Sequence, residues 1–111
     1  MIPDEDAQQT RQWAQQRVPE AVRDKVRIEA VVEDRSTTIV ESRPPWRGDS
    51  DDDWTRQPVA QMRYTNSRKQ WTLYWIDSGM RWRRYDQVAP AEGIRPLLDA
   101  VEADEHALFW G

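Results

Sequence analysis

Lys69-Gln70-Trp71-Thr72-Leu73-Tyr74-Trp75-Ile76-Asp77-Ser78-Gly79-Met80-Arg81-Trp82-Arg83-Arg84-Tyr85-Asp86, with Met62-Arg63-Tyr64 just before it, alone combines strict alternation, clustered tryptophans and a local excess of positive charge. Lys69 to Asp77 reads as a strand, because aromatic and β-branched residues dominate it and polar turn formers bound it on both sides. A turn centred on Ser67-Arg68 sets Tyr64 opposite Trp71, Met62 opposite Leu73 and Ala60 opposite Trp75. A tight turn at Ser78-Gly79 sets Trp75 opposite Trp82, Tyr74 opposite Arg83 and Leu73 opposite Arg84. Both turns give one core face: Ala60, Met62, Tyr64, Trp71, Leu73, Trp75 and Trp82. The other face collects Gln61, Arg63, Thr65, Thr72, Tyr74, Ile76, Arg81, Arg83 and Tyr85, arginines interleaved with aromatic rings.

Moving outward, Asp4-Glu5-Asp6 followed by Ala7 to Arg17 reads as a helix, with acids favouring the positive end of its dipole and Pro19 closing it. Its buried stripe is thin: Trp13, Ala14 and Val18. Val26, Ile28, Ala30 and Val32 alternate with Arg27, Glu29 and Glu33, as in a half-buried strand, and Thr37 to Glu41 is its partner, with Ile39 facing Ala30 if Asp34-Arg35 turns the corner. Residues 43–58, with Pro44-Pro45 and the run Asp49-Ser50-Asp51-Asp52-Asp53, read as an exposed loop. Strands resume at Val59 and stop near Asp86. Ile94, Leu97, Leu98 and Val101 then fall at helical spacing, with Pro96 tolerated in the first turn. Ala107-Leu108-Phe109-Trp110 is too apolar to dangle and is expected to dock. The expectation is one α+β domain over residues 1–111: an antiparallel β-meander of four to five strands flanked by an N-terminal helix and a C-terminal helix.

Composition narrows the function classes. A chain of 111 residues suits one core and is short for two. It has no cysteine, which removes disulfides, thiolate metal sites and cysteine nucleophiles. Net charge is −4 with a pI near 5.0, which argues against a general nucleic-acid or membrane-surface coat. No apolar run approaches the roughly 18 residues of a membrane span, and the start is acidic where a signal peptide would be basic. A soluble cytoplasmic protein without a membrane role is expected. The charge is nevertheless uneven: from Trp54 to Tyr85, Arg56, Arg63, Arg68, Lys69, Arg81, Arg83 and Arg84 stand against Asp77 alone.

Catalytic and metal motifs fail on inspection. The aspartate run suggests a calcium loop, but Trp54 stands where the turn needs glycine and Ala60 where the bidentate glutamate belongs. His106 is the one histidine and has no second histidine or cysteine to work with. Gly48, Gly79, Gly93 and Gly111 are scattered and build no phosphate cradle. Asp77 and Asp86 close opposite ends of the aromatic hairpin, a turn-forming role rather than a shared metal site. Neither cofactor nor catalytic residue is expected, and the chain reads as a non-enzyme. The tryptophans belong first to folding: burying a ring of roughly 150 to 250 Å² stabilises by roughly 4 to 6 kcal/mol as an upper bound, against about 1 to 3 kcal/mol for stacking one base.

Arg43-Pro44-Pro45-Trp46, Trp54, Pro58-Val59-Ala60, Arg63-Tyr64, Trp71-Thr72-Leu73-Tyr74-Trp75, Arg81-Trp82, Tyr85-Asp86 and the ending Phe109-Trp110-Gly111 resemble a family of small bacterial proteins catalogued as domain of unknown function 3024. The resemblance covers nearly the whole chain. It implies a small, cytoplasmic, single-domain bacterial protein and brings no activity, cofactor or site residue.

The function expected from the residues is a binding module. Its first candidate surface is Arg63, Tyr74, Arg81, Arg83 and Tyr85, assisted by Arg68 and Lys69 at the turn. Arginines hold phosphates bidentately and tyrosines stack bases, the combination single-stranded nucleic acid requires. Trp46 and Trp54, in a polar loop, are further candidates for an exposed contact. The alternative is a protein-interaction or assembly module, a homodimer included, that buries the same aromatics without nucleic acid. The plainest reading is a solvated face whose arginines pair with Glu29, Glu33 and Glu41; such pairs on exposed sheets are ordinary, which favours it slightly.

Overall fold

The computed structural model describes residues 1–22, 24–44 and 54–110. Its elements are helix α1 (Asp4–Arg17), a short 3-10 turn (Glu20–Val22), strands β1 (Arg27–Val32), β2 (Ser36–Arg43), β3 (Thr55–Thr65), β4 (Gln70–Ile76) and β5 (Trp82–Arg84), and helix α2 (Arg95–Ala103). The strands form one antiparallel meander in the order β1-β2-β3-β4-β5. This is the α+β architecture expected, with five strands.

The central register follows the alternation. Ala60 lies opposite Trp75, Met62 opposite Leu73 and Tyr64 opposite Trp71. In the first hairpin Ala30 lies opposite Ile39, as the turn at Asp34-Arg35 requires. Both helices cover one side of the sheet. Leu97, Leu98 and Val101 of α2 and Trp13 and Ala14 of α1 close over Ile39, Ala60, Met62, Trp71 and Leu73, all buried in one cluster. Asp6 ties the layers together from inside: its carboxylate accepts the indole N–H of Trp71 at 2.9 Å and the backbone N–H of Ile94, at the start of α2, at 3.4 Å.

The tail docks as its apolar character demands. Asp104, left-handed with φ 44°, ends α2, and its carboxylate accepts the backbone N–H groups of Leu108, Phe109 and Trp110 at 2.9 to 3.0 Å. Phe109 is thereby buried, and the Trp110 indole donates to the carbonyl of Val101.

Two expectations are corrected. The interruption after β2 is shorter than residues 43–58: β2 runs to Arg43 and β3 begins at Thr55, pairing through Ser42 opposite Arg56 and Val40 opposite Pro58. Pro58 is accommodated because a bulge falls beside it, between the Ile39 and Val40 pairings, where a missing N–H is tolerated and where both Val59 and Ala60 turn into the core. Trp46 and the aspartate run lie outside the described residues.

The second correction concerns β5. The observed pairs are Tyr74 with Arg84, Trp75 with Arg83 and Ile76 with Trp82, one residue away from the expected register. The cause is the connection. Asp77 N–H donates to the carbonyl of Arg81 at 2.9 Å, leaving a three-residue loop, Ser78-Gly79-Met80, with Met80 left-handed at φ 63°. The Asp77 carboxylate fixes it by accepting the N–H groups of Gly79 at 2.9 Å and Arg81 at 3.0 Å. A slip of one residue turns every side chain of β5 to the other side. Trp82 therefore leaves the core face, and Arg83 and Tyr85 join it.

Candidate binding face

The side of the sheet opposite the helices is built by alternation from Arg27, Glu29 and Val31 on β1, Thr38, Val40 and Ser42 on β2, and Arg56, Gln61 and Arg63 on β3. Thr72, Tyr74 and Ile76 on β4 and Trp82 and Arg84 on β5 complete it. Val31, Val40, Tyr74, Ile76 and Trp82 are all absent from the core cluster, which agrees with that assignment.

Its arginines are held in particular ways. The Arg63 guanidinium lies over the Tyr74 ring at 4.0 Å, and its Nε donates to Gln61 Oε1 at 2.7 Å. Gln61 Nε2 in turn donates to Thr38 Oγ1 at 3.0 Å, so a polar relay from β2 to β3, with the Tyr74 ring on β4, positions the cation. Arg27 lies over the Trp54 ring at 4.0 Å. Arg56 pairs with Glu29 at 3.8 Å, and Arg84 with Asp86 at 3.6 Å. Both pairs are exposed, where such contacts stabilise by about 0 to 1 kcal/mol.

Of the residues expected to share this surface, Arg63 and Tyr74 are in place and touching. Trp54 reaches its β1 end through Arg27. Arg68 and Lys69 are exposed in the β3–β4 turn, and Arg81 is exposed beside the β4–β5 loop. Arg83 and Tyr85 are on the helix-bearing side. Arg83 Nε donates to Asp77 Oδ2 at 2.6 Å; this bond, with the N–H groups of Arg81 and Gly79, holds the Asp77 carboxyl below its ordinary range. Tyr85 is buried against Phe109, ring centroids 5.1 Å apart, and burial, reinforced by the charges of Glu105 and Asp104, pushes its hydroxyl above the usual tyrosine value. The pairing of this face's arginines with neighbouring glutamates is met in part: Arg56 takes Glu29, whereas Glu41 pairs with Arg43 at 2.9 Å and Arg63 has no carboxylate within 4 Å among the described residues. Sequence reasoning missed Trp82 and Arg84, whose alternation is visible but whose side depends on the length of one loop.

A cleft of about 330 Å³ opens on the other side between the tail and the β4–β5 loop, lined by Glu41, Gln57, Asp77, Met80, Phe109 and Trp110 among others. Its two carboxylates are already neutralised by Arg43 and Arg83. Among the described residues no group of three or more histidine, aspartate and glutamate side chains is placed to hold a metal ion, and no helix is long and apolar enough to cross a membrane. A family model described as domain of unknown function (DUF3024) matches residues 2–111, and no curated protein or solved structure matches.

Proposed function

The chain belongs to the DUF3024 family, and from that premise we propose that it is a non-enzymatic binding module that holds single-stranded nucleic acid on the helix-free face of its sheet. The observation that carries this reading is the segregation of charge. A chain of net charge −4 presents Arg27, Arg56, Arg63 and Arg84 against Glu29 within the strands of that face. Arg63 is stacked on Tyr74 on one side of its planar guanidinium, which leaves the other side for a base. Trp82 supplies a second ring and Arg84 a phosphate contact beside it. Cytoplasmic location is part of the proposal.

The test is fluorescence anisotropy with labelled single-stranded DNA and RNA. Binding should weaken steeply with salt, the logarithm of the affinity falling by about 0.7 per phosphate contact for each tenfold rise. Trp82→Ala and Arg63→Ala should each lose about 1 to 3 kcal/mol of affinity, and Trp82→Ala should leave stability nearly unchanged because the ring lies outside the core. Val31 and Ile76, half-buried on the same face, favour a second reading, a protein partner, which would bind with little salt dependence. Absence of oligonucleotide binding at low salt would refute the first reading.

A further inference from the structure

We infer that β1 is an edge along which two copies of this chain join into one continuous antiparallel sheet. Glu33 N–H donates to the carbonyl of Ser36 at 2.8 Å, which fixes the phase of the first hairpin. In an antiparallel ladder, residues bonded to the neighbour alternate with residues whose polar groups point away. Arg27, Glu29 and Val31, opposite Ser42, Val40 and Thr38, therefore bond inward. Ile28, Ala30 and Val32 point their N–H and C=O groups outward, and no strand among the described residues receives them. The far edge differs: there β5 is only three residues long, and the Ala91 segment bridges to Trp71 beyond it. β1 carries neither proline nor bulge, two of the devices that blunt an edge, and its charges, Arg27 and Glu29, are of opposite sign.

The occupant that fits is a second β1. An axis through Ala30 sets Ala30 against its own copy, Ile28 against the second copy's Val32, and Arg27 against the second copy's Glu33. Outward groups then meet outward groups, and opposite charges close both ends. Shifting the axis to Glu29 would oppose two glutamates. Shifting it to Val31 would oppose Arg27 to Arg35 and Glu29 to Glu33. Shifting it to Ile28 would oppose Arg27 to Glu29 but would pair only residues 27–29 of β1, whereas the Ala30 axis pairs residues 28–32. Charge complementarity and ladder length together select the Ala30 axis. A cleft of about 200 Å³ between the end of α1 and β1, lined by Ala14, Gln15, Val18, Arg27, Ile28 and Glu29, lies on the helix-bearing side at Ile28. The second copy's Val32 would face Ile28 on that side.

This inference does not depend on nucleic-acid binding, and its readout is mass alone. Sedimentation and native mass spectrometry over rising concentration should show twice the 13.2 kDa monomer. Ala30→Pro removes an outward N–H while sparing the β1–β2 ladder, and should abolish the dimer with circular dichroism unchanged. Glu33→Arg, at an exposed position, should weaken the dimer about tenfold by placing like charges at both ends, and adding Arg27→Glu should restore it. A chain that stays at 13.2 kDa at all concentrations overturns the inference. So does a dimer that Ala30→Pro, once shown to be folded, leaves intact, and if that variant does not fold, a dimer indifferent to Glu33→Arg does the same.

Discussion

Replacing Met80 with glycine should stabilise the protein, and the size of the effect follows from the β4–β5 loop. Met80 holds φ 63°, a conformation that costs an L-residue roughly 1 to 2 kcal/mol. Glycine removes that strain but adds roughly 0.5 to 1 kcal/mol of backbone entropy to be lost on folding. Met80 is 64% exposed, so little burial is forfeited. The net gain is about 0.5 to 1 kcal/mol, a rise in Tm of about 4 °C for a domain of this size. Gly79→Ala is the internal control. Gly79 is not in the left-handed region, and a Cβ there would meet Asp77 Oδ1 at 3.3 Å, a small cost offset by the loss of unfolded-state freedom. The variant should be within about 0.5 kcal/mol of the parent. In a two-residue turn at Ser78-Gly79 the signs reverse, since Gly79 would then need positive φ and Met80 would not. Urea titrations of both variants decide it. Destabilisation by Gly79→Ala of about 1 kcal/mol or more with no gain from Met80→Gly would refute the loop, and with it the placement of Trp82 and Arg84 on the open face.

Asp6→Ala should destabilise by about 2 to 4 kcal/mol, because it leaves the fully buried indole N–H of Trp71 and the N–H of Ile94 without an acceptor. Urea midpoints measure this, with Asp6→Asn recovering part of the loss, and a change under about 0.5 kcal/mol would contradict it. Tyr85 should ionise above the usual tyrosine value when absorbance at 295 nm is followed with pH, and Tyr85→Phe should remove that late step. The folded state favours its neutral form, so its contribution to stability is complete below the ordinary value of 10.0 and is lost as pH rises through the raised folded value.

What the sequence made legible was the part governed by local rules. The β3–β4 register could be read because the polar Asn66-Ser67-Arg68 cluster sits symmetrically between two alternating runs. The β1–β2 register followed in the same way from Asp34-Arg35, and α2 from Ile94, Leu97, Leu98 and Val101. The β4–β5 register failed because a methionine took the positive φ that turn rules assign to glycine, and a carboxylate three residues earlier made that choice workable. Asp6 was legible only as an acid at a helix start. Its bond to Trp71 spans the fold, and no local pattern announces it. Asp104 was likewise one more acidic residue until the tail folded back onto it.

The slip of β5 changes which residues face outward but not what kind they are, and the reason lies in the sequence Trp82-Arg83-Arg84-Tyr85. Each parity carries one arginine and one aromatic ring, so either register leaves a cation beside a ring on the open face. The registers differ on the covered side. There the observed register sets Arg83 beside Asp77 and needs a pocket for Tyr85. Arg83 Nε donates to Asp77 at 2.6 Å, and Phe109 helps to form the pocket. Asp77 also accepts the two N–H groups that shape the loop. One carboxylate therefore selects the loop and pairs with the exposed arginine that the loop turns to the helix-bearing side. It follows that Asp77 and Arg83 act through folding, and that the test of the proposed binding surface belongs at Arg63, Tyr74, Trp82 and Arg84.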